Sequence, residues 1–288
     1  MASLQYRLFS KAVGLLPDII KLNLLYFRRF NAFLNLKSPK TFNEKLQLRK
    51  IKDRNKLLSI AADKLKSKEF ASSVSSQLYI PKTLYVGDSP SFIDDLDLSK
   101  LPSDYVFKAN HTSQTIEIIR GSKHLSKNRM KRLAKSWLKH DQSLSLGEWA
   151  YQDIPRKIFV EEFLDFEGEA PDDYKFFVYH GKVHFIQLDS DRFTNHSRNM
   201  FDYEWNELGF EYSYKRKSPA PEKPLFLNEM IRISEELGAY FDFIRVDLYY
   251  YNKMITFGEL TVYPGAGFEK FPDKKYDLLF GQPWIQSY

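Results

Sequence analysis

The sequence contains no cysteine among its 288 residues. Without cysteine there is no disulfide bond, no thiolate metal ligand and no cysteine nucleophile, and the composition fits a reducing compartment. The sequence also lacks a run of about 18 uninterrupted apolar residues, which is the length a membrane-spanning helix needs. Its first residues, 1–7, show neither the apolar stretch nor the small-residue cleavage site of a secretory signal. We therefore expect a cytoplasmic protein.

Two common phosphate-binding motifs are missing as well. The chain has no Walker A lysine motif and no strand-linked Gly-x-Gly-x-x-Gly fingerprint. In many nucleotide-binding proteins these loops hold phosphate through their backbone N–H groups. The sequence therefore lacks the motifs that would indicate a P-loop or a Rossmann fold.

The composition is that of an ordered globular protein with excess positive charge. Hydrophobic residues make up 43% and aromatic residues 16% of the chain, and the formal net charge is +6. A positive balance suits polyanionic ligands such as nucleotides, acidic polysaccharide or anionic lipid, but it does not choose among them. Between Glu117 and Asp141 there is no acidic residue, and this basic stretch indicates either a solvated helix face or a contact for an acidic ligand.

The pattern of elements predicts an α+β protein. Apolar spacing predicts helices over about 5–30, with a break at Pro17, and over 56–71. Another helix should begin at Thr41, because Thr41 and Glu44 have the spacing of a capping box. Strands then dominate, with a basic helix near 126–140, a hairpin turning at His180-Gly181 and a helix over 222–240. We predict a helical region over 1–78, a small lobe over 79–160 and a large lobe over 161–288.

A hairpin near the C-terminus carries the clearest candidate site. Arg245 and Asp247 are two residues apart on one predicted strand, and Glu259 and Thr261 are two apart on the next. Side chains at i and i+2 share one face of a strand, so the two pairs should face each other across the hairpin. Carboxylate oxygens beside an arginine suit Mg²⁺ and phosphate.

Further candidates lie at the ends of other predicted elements. Lys108 closes an apolar strand before a turn rich in hydroxyl and amide groups, and Lys64 lies in a helix. Each lysine alone is also explained as a solvated surface residue. Asp173 and Lys175 should share one face of a strand, while Glu161 and Glu162, at the end of an apolar strand, could accept from a nucleobase amino group or a ribose hydroxyl.

The order and spacing of these motifs resemble the ATP-grasp ligases. The segments that carry the resemblance are Asp63-Lys64, Val106–Lys108, Val160–Leu164, Asp173–Lys175, Arg245–Asp247 and Gly258–Thr261. Within that superfamily the chain is similar to the TupA-like branch, named for teichuronopeptide biosynthesis. The segments for this narrower likeness are Pro39–Lys45, Lys108–His111, Asp173–Phe177, Arg192–His196 and Gly258–Thr261.

The resemblance implies an ATP-grasp fold, in which two lobes with antiparallel sheets clasp a nucleotide cleft behind a helical N-terminal region. It implies that Lys64 and Lys108 contact ATP phosphates and that Arg245 meets an acyl phosphate and oxyanion, with Lys175 facing the phosphates. It further implies a nucleotide contact set and a Mg²⁺ set. The first comprises Ser113, Glu161, Glu162, Leu164 and Asp173, and the second comprises Asp247, Glu259 and Thr261.

Two positions depart from the superfamily pattern. Thr261 stands where the usual pattern has asparagine, so a hydroxyl or a water held by it would replace an amide ligand. The phosphate-covering loop after Lys108 is usually rich in glycine, whereas residues 112–115 contain none. Close backbone approach to the β- and γ-phosphates is therefore in question.

The implied reaction is amide synthesis from a uronic acid of a capsular or cell-surface glycan precursor and an amino acid or amino alcohol. His111, His196 and Arg198 are candidates for binding the acidic sugar, or plain hydrogen-bonding residues. We expect no nucleic-acid partner, and the N-terminal helix could associate with the inner membrane face. The alternatives are a glycosyltransferase, using the pattern Asp189-Ser-Asp191, and a nucleotide- or polyanion-binding module without turnover.

Overall fold

The structure is a computed structural model that describes residues 13–14, 16–121, 125–166, 171–192 and 194–288. In these residues nine α-helices accompany two antiparallel sheets, one of four strands and one of five. The predicted α+β class and the two lobes are confirmed. No helix of the described chain is both long and apolar enough to cross a bilayer.

Helices precede the two sheets along the chain. Helix α1 spans Asp18–Phe30 and α2 spans Phe42–Lys52. The predicted capping box is confirmed, because Thr41 Oγ1 accepts from the backbone N–H of Glu44 and the Glu44 carboxylate accepts from that of Thr41. The start of the first predicted helix lies outside the described residues.

The single helix predicted over 56–71 is wrong, because it is broken at Asp63. Helix α3 spans Lys56–Ala62 and α4 spans Lys64–Val74. Asp63 has φ −80° and ψ 112°, which is extended backbone, and its carboxylate accepts from the N–H groups of the next helix's first turn. An aspartate with extended backbone can cap a new helix in this way. The break places Lys64 at the first position of α4.

The small lobe is built on a sheet in the order β1-β4-β2-β3. Its strands are β1 Thr83–Gly87, β2 Tyr105–Ala109, β3 Ile116–Ile119 and β4 Ile158–Glu162. Helix α5 (Phe92–Asp95) and a short 3₁₀ turn (Leu98–Lys100) follow β1, while α6 (Lys127–Lys139), α7 (Gln142–Leu146) and another 3₁₀ turn (Trp149–Tyr151) separate β3 from β4. Tyr105 and Phe107 pack in one core with Met130 of α6, so α6 covers one face of the sheet. Lys108 lies on the other face.

The large lobe is built on a sheet in the order β7-β6-β5-β8-β9. Its strands are β5 Asp173–Tyr179, β6 Lys182–Ser190, β7 Ser197–Asp202, β8 Phe243–Tyr251 and β9 Met254–Thr261. The predicted hairpin turn at His180-Gly181 is confirmed, with φ of 49° and 75°, the values that a tight two-residue hairpin turn requires. Helix α8 (Leu227–Gly238) packs on the apolar face of this sheet.

The second face of the large sheet is divided along its strands. At one end, Phe177 and Phe243 contact Phe42 of α2 and Phe280 of α9, which spans Lys274–Gly281. At the other end the same face carries charged residues, most of which are buried. The helical N-terminal region therefore belongs to the core of the large lobe. The domain boundaries stay predictions, and we note that Glu161 and Glu162 lie within β4 of the small sheet.

Helix α8 approaches the sheet closely at Gly238. A Cβ atom built there would overlap Val178 Cγ1 of β5. We expect Gly238→Ala to lower the free energy of unfolding by about 1 to 3 kcal/mol, because steric overlap outweighs the better helix propensity of alanine. Urea unfolding measures this, with Asn228→Ala on the exposed side of α8 as the control. Unchanged stability of Gly238→Ala would contradict the packing.

Candidate functional site

Five charged side chains of alternating sign lie in a row at the charged end of the second face of the large sheet. Register pairs Lys175 of β5 with Asp247 of β8, and Lys175 Nζ lies 2.8 Å from Asp247 Oδ2. On one side, Arg245 donates two hydrogen bonds to Asp247, at 2.8 and 2.7 Å. On the other, Lys175 Nζ lies 2.5 Å from Asp173 Oδ2, which also accepts from Arg192 Nη1 at 2.6 Å. We call this row, Arg245-Asp247-Lys175-Asp173-Arg192, the charge ladder.

Most of the charge ladder is buried, and its charges shift one another's pKa, while burial raises the pKa of Asp173. The side chains of Asp173 and Asp247 are each 1% exposed and that of Lys175 is 8% exposed. Burial acts to raise the pKa of Asp247, but Arg245 and Lys175 hold it below its ordinary value. Burial likewise acts to lower the pKa of Lys175, yet Asp173 and Asp247 raise it. The end residues, Arg192 and Glu259 beyond Arg245, are open, at 41% and 44% exposed.

Glu259 and Thr261 extend the site onto β9 as the sequence predicted. Asp247 is directly opposite Glu259, and Arg245 is opposite Thr261. Thr261 Oγ1 lies 3.1 Å from both Glu259 Oε1 and Arg245 Nη2. A bulge follows at Gly258, where a Cβ would lie 2.7 Å from the carbonyl oxygen of Asp247. The bulge turns Glu259 to the same face as Asp247.

The acidic residues fit a magnesium ion that arrives with a phosphate ligand. Within the described residues, no three His, Cys, Asp or Glu side chains converge on one point that could hold a metal ion. Asp247 and Glu259 supply two carboxylates, and Asp173 Oδ1 is a buried oxygen without a hydrogen-bond partner. Mg²⁺ is commonly held by one or two carboxylates together with phosphate oxygens and waters.

The small sheet presents a second cationic group to the cleft. Lys108 of β2 forms an ion pair with Glu161 of β4, and Lys68 of α4 pairs with the same carboxylate. Burial acts to raise the pKa of Glu161, but the two lysines lower it. Lys68 was not predicted from the sequence. Because both oxygens of Glu161 face lysines, its carboxylate holds Lys108 in place instead of standing free for a base.

Glu162 is engaged between the lobes. Its Oε1 accepts from the Tyr79 hydroxyl and from the Lys82 backbone N–H, both at 2.6 Å. The backbone of Tyr79 in turn bonds to Ile255 and Phe257 of β9. Glu162 therefore fixes the segment that links the two sheets. Leu164 follows, half-buried, on the stretch that leaves β4.

Lys64 joins the loop after β2 to the acidic edge of the large sheet. Its Nζ donates to the Thr112 carbonyl oxygen at 2.5 Å, and its backbone N–H donates to the Asn110 carbonyl at 3.0 Å. Burial lowers the pKa of Lys64, and Glu259 and Lys108 are the charges that act on it most strongly. The structure thus brings the two predicted lysines and Glu259 to one cleft.

The loop over residues 110–115 is held without glycine. Gln114 takes the left-handed conformation, with φ 59°, that glycine adopts more readily. At the base, the Asn110 side chain donates to Asp63 at 2.9 Å and to the Pro155 carbonyl at 3.0 Å. Ser113 is exposed at the tip, with its hydroxyl 3.4 Å from Gln142 Oε1.

Two isoleucines beside Lys108 were missed as site residues. Ile116 and Ile118 of β3 are 46% and 42% exposed, and they lie opposite Lys108 and Val106 of β2. They share the face that carries Lys108, and exposed branched apolar side chains on a sheet are suited to the flat surface of a base. Their alternation with Glu117 in the sequence was the available signal.

A second ionic cluster lies on β6 and β7. Arg198 binds Asp189 through two hydrogen bonds of 2.6 and 3.0 Å, and its Nη1 lies 2.7 Å from Glu269 Oε1. The His196 ring lies 3.7 Å from the Tyr214 ring, and its Nε2 is 3.6 Å from Asp189 Oδ1. Register carries Asp189 to the face of Asp173, so this cluster adjoins the charge ladder.

Two sequence candidates lie apart from this arrangement. His111 is 2% exposed, its Nε2 lies 3.2 Å from the Trp137 carbonyl oxygen, and burial lowers its pKa to about 4. It is a neutral buried side chain and is left out of the site. In the pattern Asp189-Ser-Asp191, Asp191 instead forms a surface pair with Lys217 at 3.2 Å. The two aspartates therefore do not converge on a shared metal.

Lys64 of α4 and Lys108 of the small sheet lie near Glu259 of the large sheet, and cations beside carboxylates have the chemistry that phosphate and a divalent metal need. The sequence matches the TupA-like ATP-grasp family over residues 44–285. The chain therefore belongs to the TupA-like ATP-grasp family. No curated protein matches it.

Solved structures with which the chain shares a likeness include three ATP-grasp enzymes. The D-alanine–D-alanine ligase of Bacillus anthracis, complexed with ATP, has 16% identity and a TM-score of 0.42, covering 72% of this chain and 55% of that one. The VanG D-Ala:D-Ser ligase of Enterococcus faecalis has 14% identity and a TM-score of 0.44, covering 79% and 61%.

The third, N5-carboxyaminoimidazole synthase of Aspergillus clavatus in complex with ADP and 5-aminoimidazole ribonucleotide, has 10% identity and a TM-score of 0.40, with coverage of 70% and 44%. The chain spans 55 to 62% of the length of the D-alanine–D-alanine ligases that it matches.

The Asp189–Arg198 pair gives a pH-dependent prediction. Burial acts to raise the pKa of Asp189, but Arg198 lowers it from 3.8 to about 2. The pair's contribution to stability is therefore complete above pH 4 and is lost as pH falls through about 2. We expect Arg198→Met to lower the free energy of unfolding at pH 7 by about 3 kcal/mol. The difference in the free energy of unfolding between this variant and the wild type should become smaller below pH 4, and urea unfolding measures it.

The matched control is Lys217→Met, which removes the exposed partner of Asp191. It should change the free energy of unfolding by less than about 0.5 kcal/mol. Equal effects of the two substitutions, or a gap that does not depend on pH, would contradict the assignment.

Proposed function

We propose that this protein is an ATP-dependent ligase that joins a carboxylate to an amine, with Mg²⁺-ATP bound between the two sheets. The observation that carries the proposal is the charge ladder with Glu259 beside it, because Glu259 and Lys108 are the charges that act most strongly on Lys64. Membership of the ATP-grasp family supports the same reaction class.

The position of each residue gives its role in the proposed reaction. Lys64 and Lys108 bind ATP phosphates, and Ile116 and Ile118 pack against the base. Asp247 and Glu259, with the Thr261 hydroxyl, would hold Mg²⁺, which supplies charge neutralisation on the phosphate oxygens when bound. A substrate carboxylate attacks the γ-phosphate to give an acyl phosphate and ADP, and the amine then displaces phosphate.

Arg245 and Lys175 stabilise the negative charge that develops on the transferred phosphoryl group and on the carbonyl oxygen. Both cations are fixed by buried carboxylates, so they need no rearrangement as charge develops. The rate enhancement then comes from positioning and electrostatics, and no nucleophilic side chain is required.

For the substrates, we propose a uronic acid of a capsular or cell-surface polysaccharide, or its precursor, and an amino acid or amino alcohol. The support is the TupA-like likeness together with the cations beyond the ladder. Arg192 is partly exposed at its end, and Arg198 and His196 lie on the adjoining strand. An acidic sugar bound there would place its carboxylate near Lys175. The reaction would take place in the cytoplasm.

One assay tests the proposal and separates it from a glycosyltransferase or a binding module. Purified protein is given ATP, Mg²⁺, a uronic-acid glycan and a panel of amines, and ADP and product mass are measured. We expect ADP release that depends on the amine. UDP release from a nucleotide sugar would show a glycosyltransferase instead, and ATP binding without turnover would show a binding module.

Substitution of the acidic pair should remove turnover, and Glu259→Gln should do so with the fold intact, because the Glu259 side chain is 44% exposed. We expect Asp247→Asn and Glu259→Gln to lower ADP release by at least about a hundredfold, because each removes a charge from the metal set. Glu236→Gln, on the exposed side of α8, is the control and should keep full activity. Normal turnover in either site variant would contradict the assignment of that carboxylate as a metal ligand.

Arg192 should affect the reaction from the open end of the ladder. It is 41% exposed, so Arg192→Met should leave thermal unfolding nearly unchanged. We expect kcat/KM to fall roughly 10- to 100-fold, because a cation facing the phosphate or the acidic substrate is lost. Lys217→Met removes a nearby surface cation as the control. Equal activity in the two variants would exclude Arg192 from the site.

A further inference from the structure

Helix α1 is attached to the body of the protein by one side. Leu22 and Tyr26 are buried there and form a small core with Leu34. Arg29 Nε donates to the Phe268 carbonyl oxygen at 2.7 Å. The helix is therefore held in a fixed orientation, with its other side facing outward.

The outward side of α1 is apolar. Ile20, Leu24 and Phe27 follow one another at helical spacing and are 54%, 40% and 43% exposed. Phe33, just beyond the helix, is 82% exposed, and its ring lies 5.1 Å from that of Phe27. We call these four residues the outer face of α1. Four large apolar side chains are therefore exposed within residues 20–33.

Exposed positive charge accompanies this face along the chain. Residues 19–43 contain no Asp or Glu. Four basic side chains in that stretch are exposed: Arg28, Arg29, Lys37 and Lys40. Apolar side chains beside clustered cations match a surface that offers hydrocarbon below anionic head groups.

We propose that the outer face of α1 rests on an anionic membrane surface. A second copy of the chain fits less well, because a two-fold contact through this face would bring the same cations together. Two other exposed apolar sites have acidic residues nearby in the chain: Leu225 lies between Glu222 and Glu229, and Asp277 precedes the exposed group of Leu278, Leu279 and Ile285.

The position of α1 relates the proposed membrane contact to the cleft. Phe268, which accepts from Arg29, is the neighbour of Glu269, and Glu269 binds Arg198 of the second ionic cluster. A membrane under α1 would therefore lie on the side of the cleft that carries this cluster. A glycan precursor attached to a lipid could reach the cleft from there. The membrane contact itself does not depend on the proposed ligase activity.

Co-sedimentation of the full chain with vesicles tests the proposal. Phosphatidylcholine vesicles are compared with vesicles of phosphatidylcholine mixed with phosphatidylglycerol. We expect binding to the mixed vesicles, reduced by about tenfold or more in Phe27→Ser/Phe33→Ser and in Lys37→Glu/Lys40→Glu. These side chains are exposed, so thermal unfolding should stay close to that of the wild type, and ADP release from soluble substrates should be unaffected.

Two control variants match these changes elsewhere on the surface. Leu225→Ser/Ile285→Ser removes exposed apolar side chains, and Lys135→Glu/Lys139→Glu reverses two exposed charges on α6. Both should bind vesicles as the wild type does. Absence of wild-type binding, or equal loss in the controls, would overturn the proposal. So would concentration-dependent dimers that Phe27→Ser/Phe33→Ser abolishes, since they would assign the face to a second copy.

Discussion

Buried charges in the large sheet have to alternate in sign, and the rest of the site depends on that constraint. An ion removed from water is tolerated only where opposite charges and hydrogen bonds replace its hydration. Strand register meets this need for Lys175, which lies between Asp173 and Asp247, and for Asp247, which lies between Lys175 and Arg245. Each charge is fully compensated by its neighbours only in the interior of the charge ladder. At its ends, Arg192 and Glu259 face the open cleft with charge that is only partly compensated, and that is where a phosphate or a metal gains most.

The same sheet face serves packing at one end and chemistry at the other. Aromatic residues such as Phe177 and Phe243 are covered by α2 and α9, whereas at the other end the charged residues are buried against one another and only Arg192 and Glu259 are open. The N-terminal helices are thus part of the core that fixes β5 and β8, and they also deliver Lys64. The break at Asp63 contributes directly, because the residue that caps α4 also accepts from Asn110 at the base of the loop.

The sequence predicted those features of the site that depend on neighbours along one strand or hairpin. The period of two placed Asp173 with Lys175 and aligned Asp247 with Glu259, because a short turn fixes the register of a hairpin. Contacts between distant segments were not predictable in this way. Lys68 and Arg192 meet Glu161 and Asp173 only through the tertiary fold. His111 resembled a ligand-binding residue in the sequence, and only the packing of α6 shows that it is buried.

The loop after Lys108 has a structural consequence for how a nucleotide is admitted. Its base is tied through Asn110 to Asp63, and its middle is tied through the Thr112 carbonyl to Lys64. Only the tip at Ser113 and Gln114 lacks such ties to the helical region. A glycine-rich loop can adjust its shape around the phosphates, whereas this loop is held in one shape by its hydrogen bonds. Under the proposed function, phosphate groups would have to match the shape of this loop, so discrimination between nucleotides would arise from rigid fit.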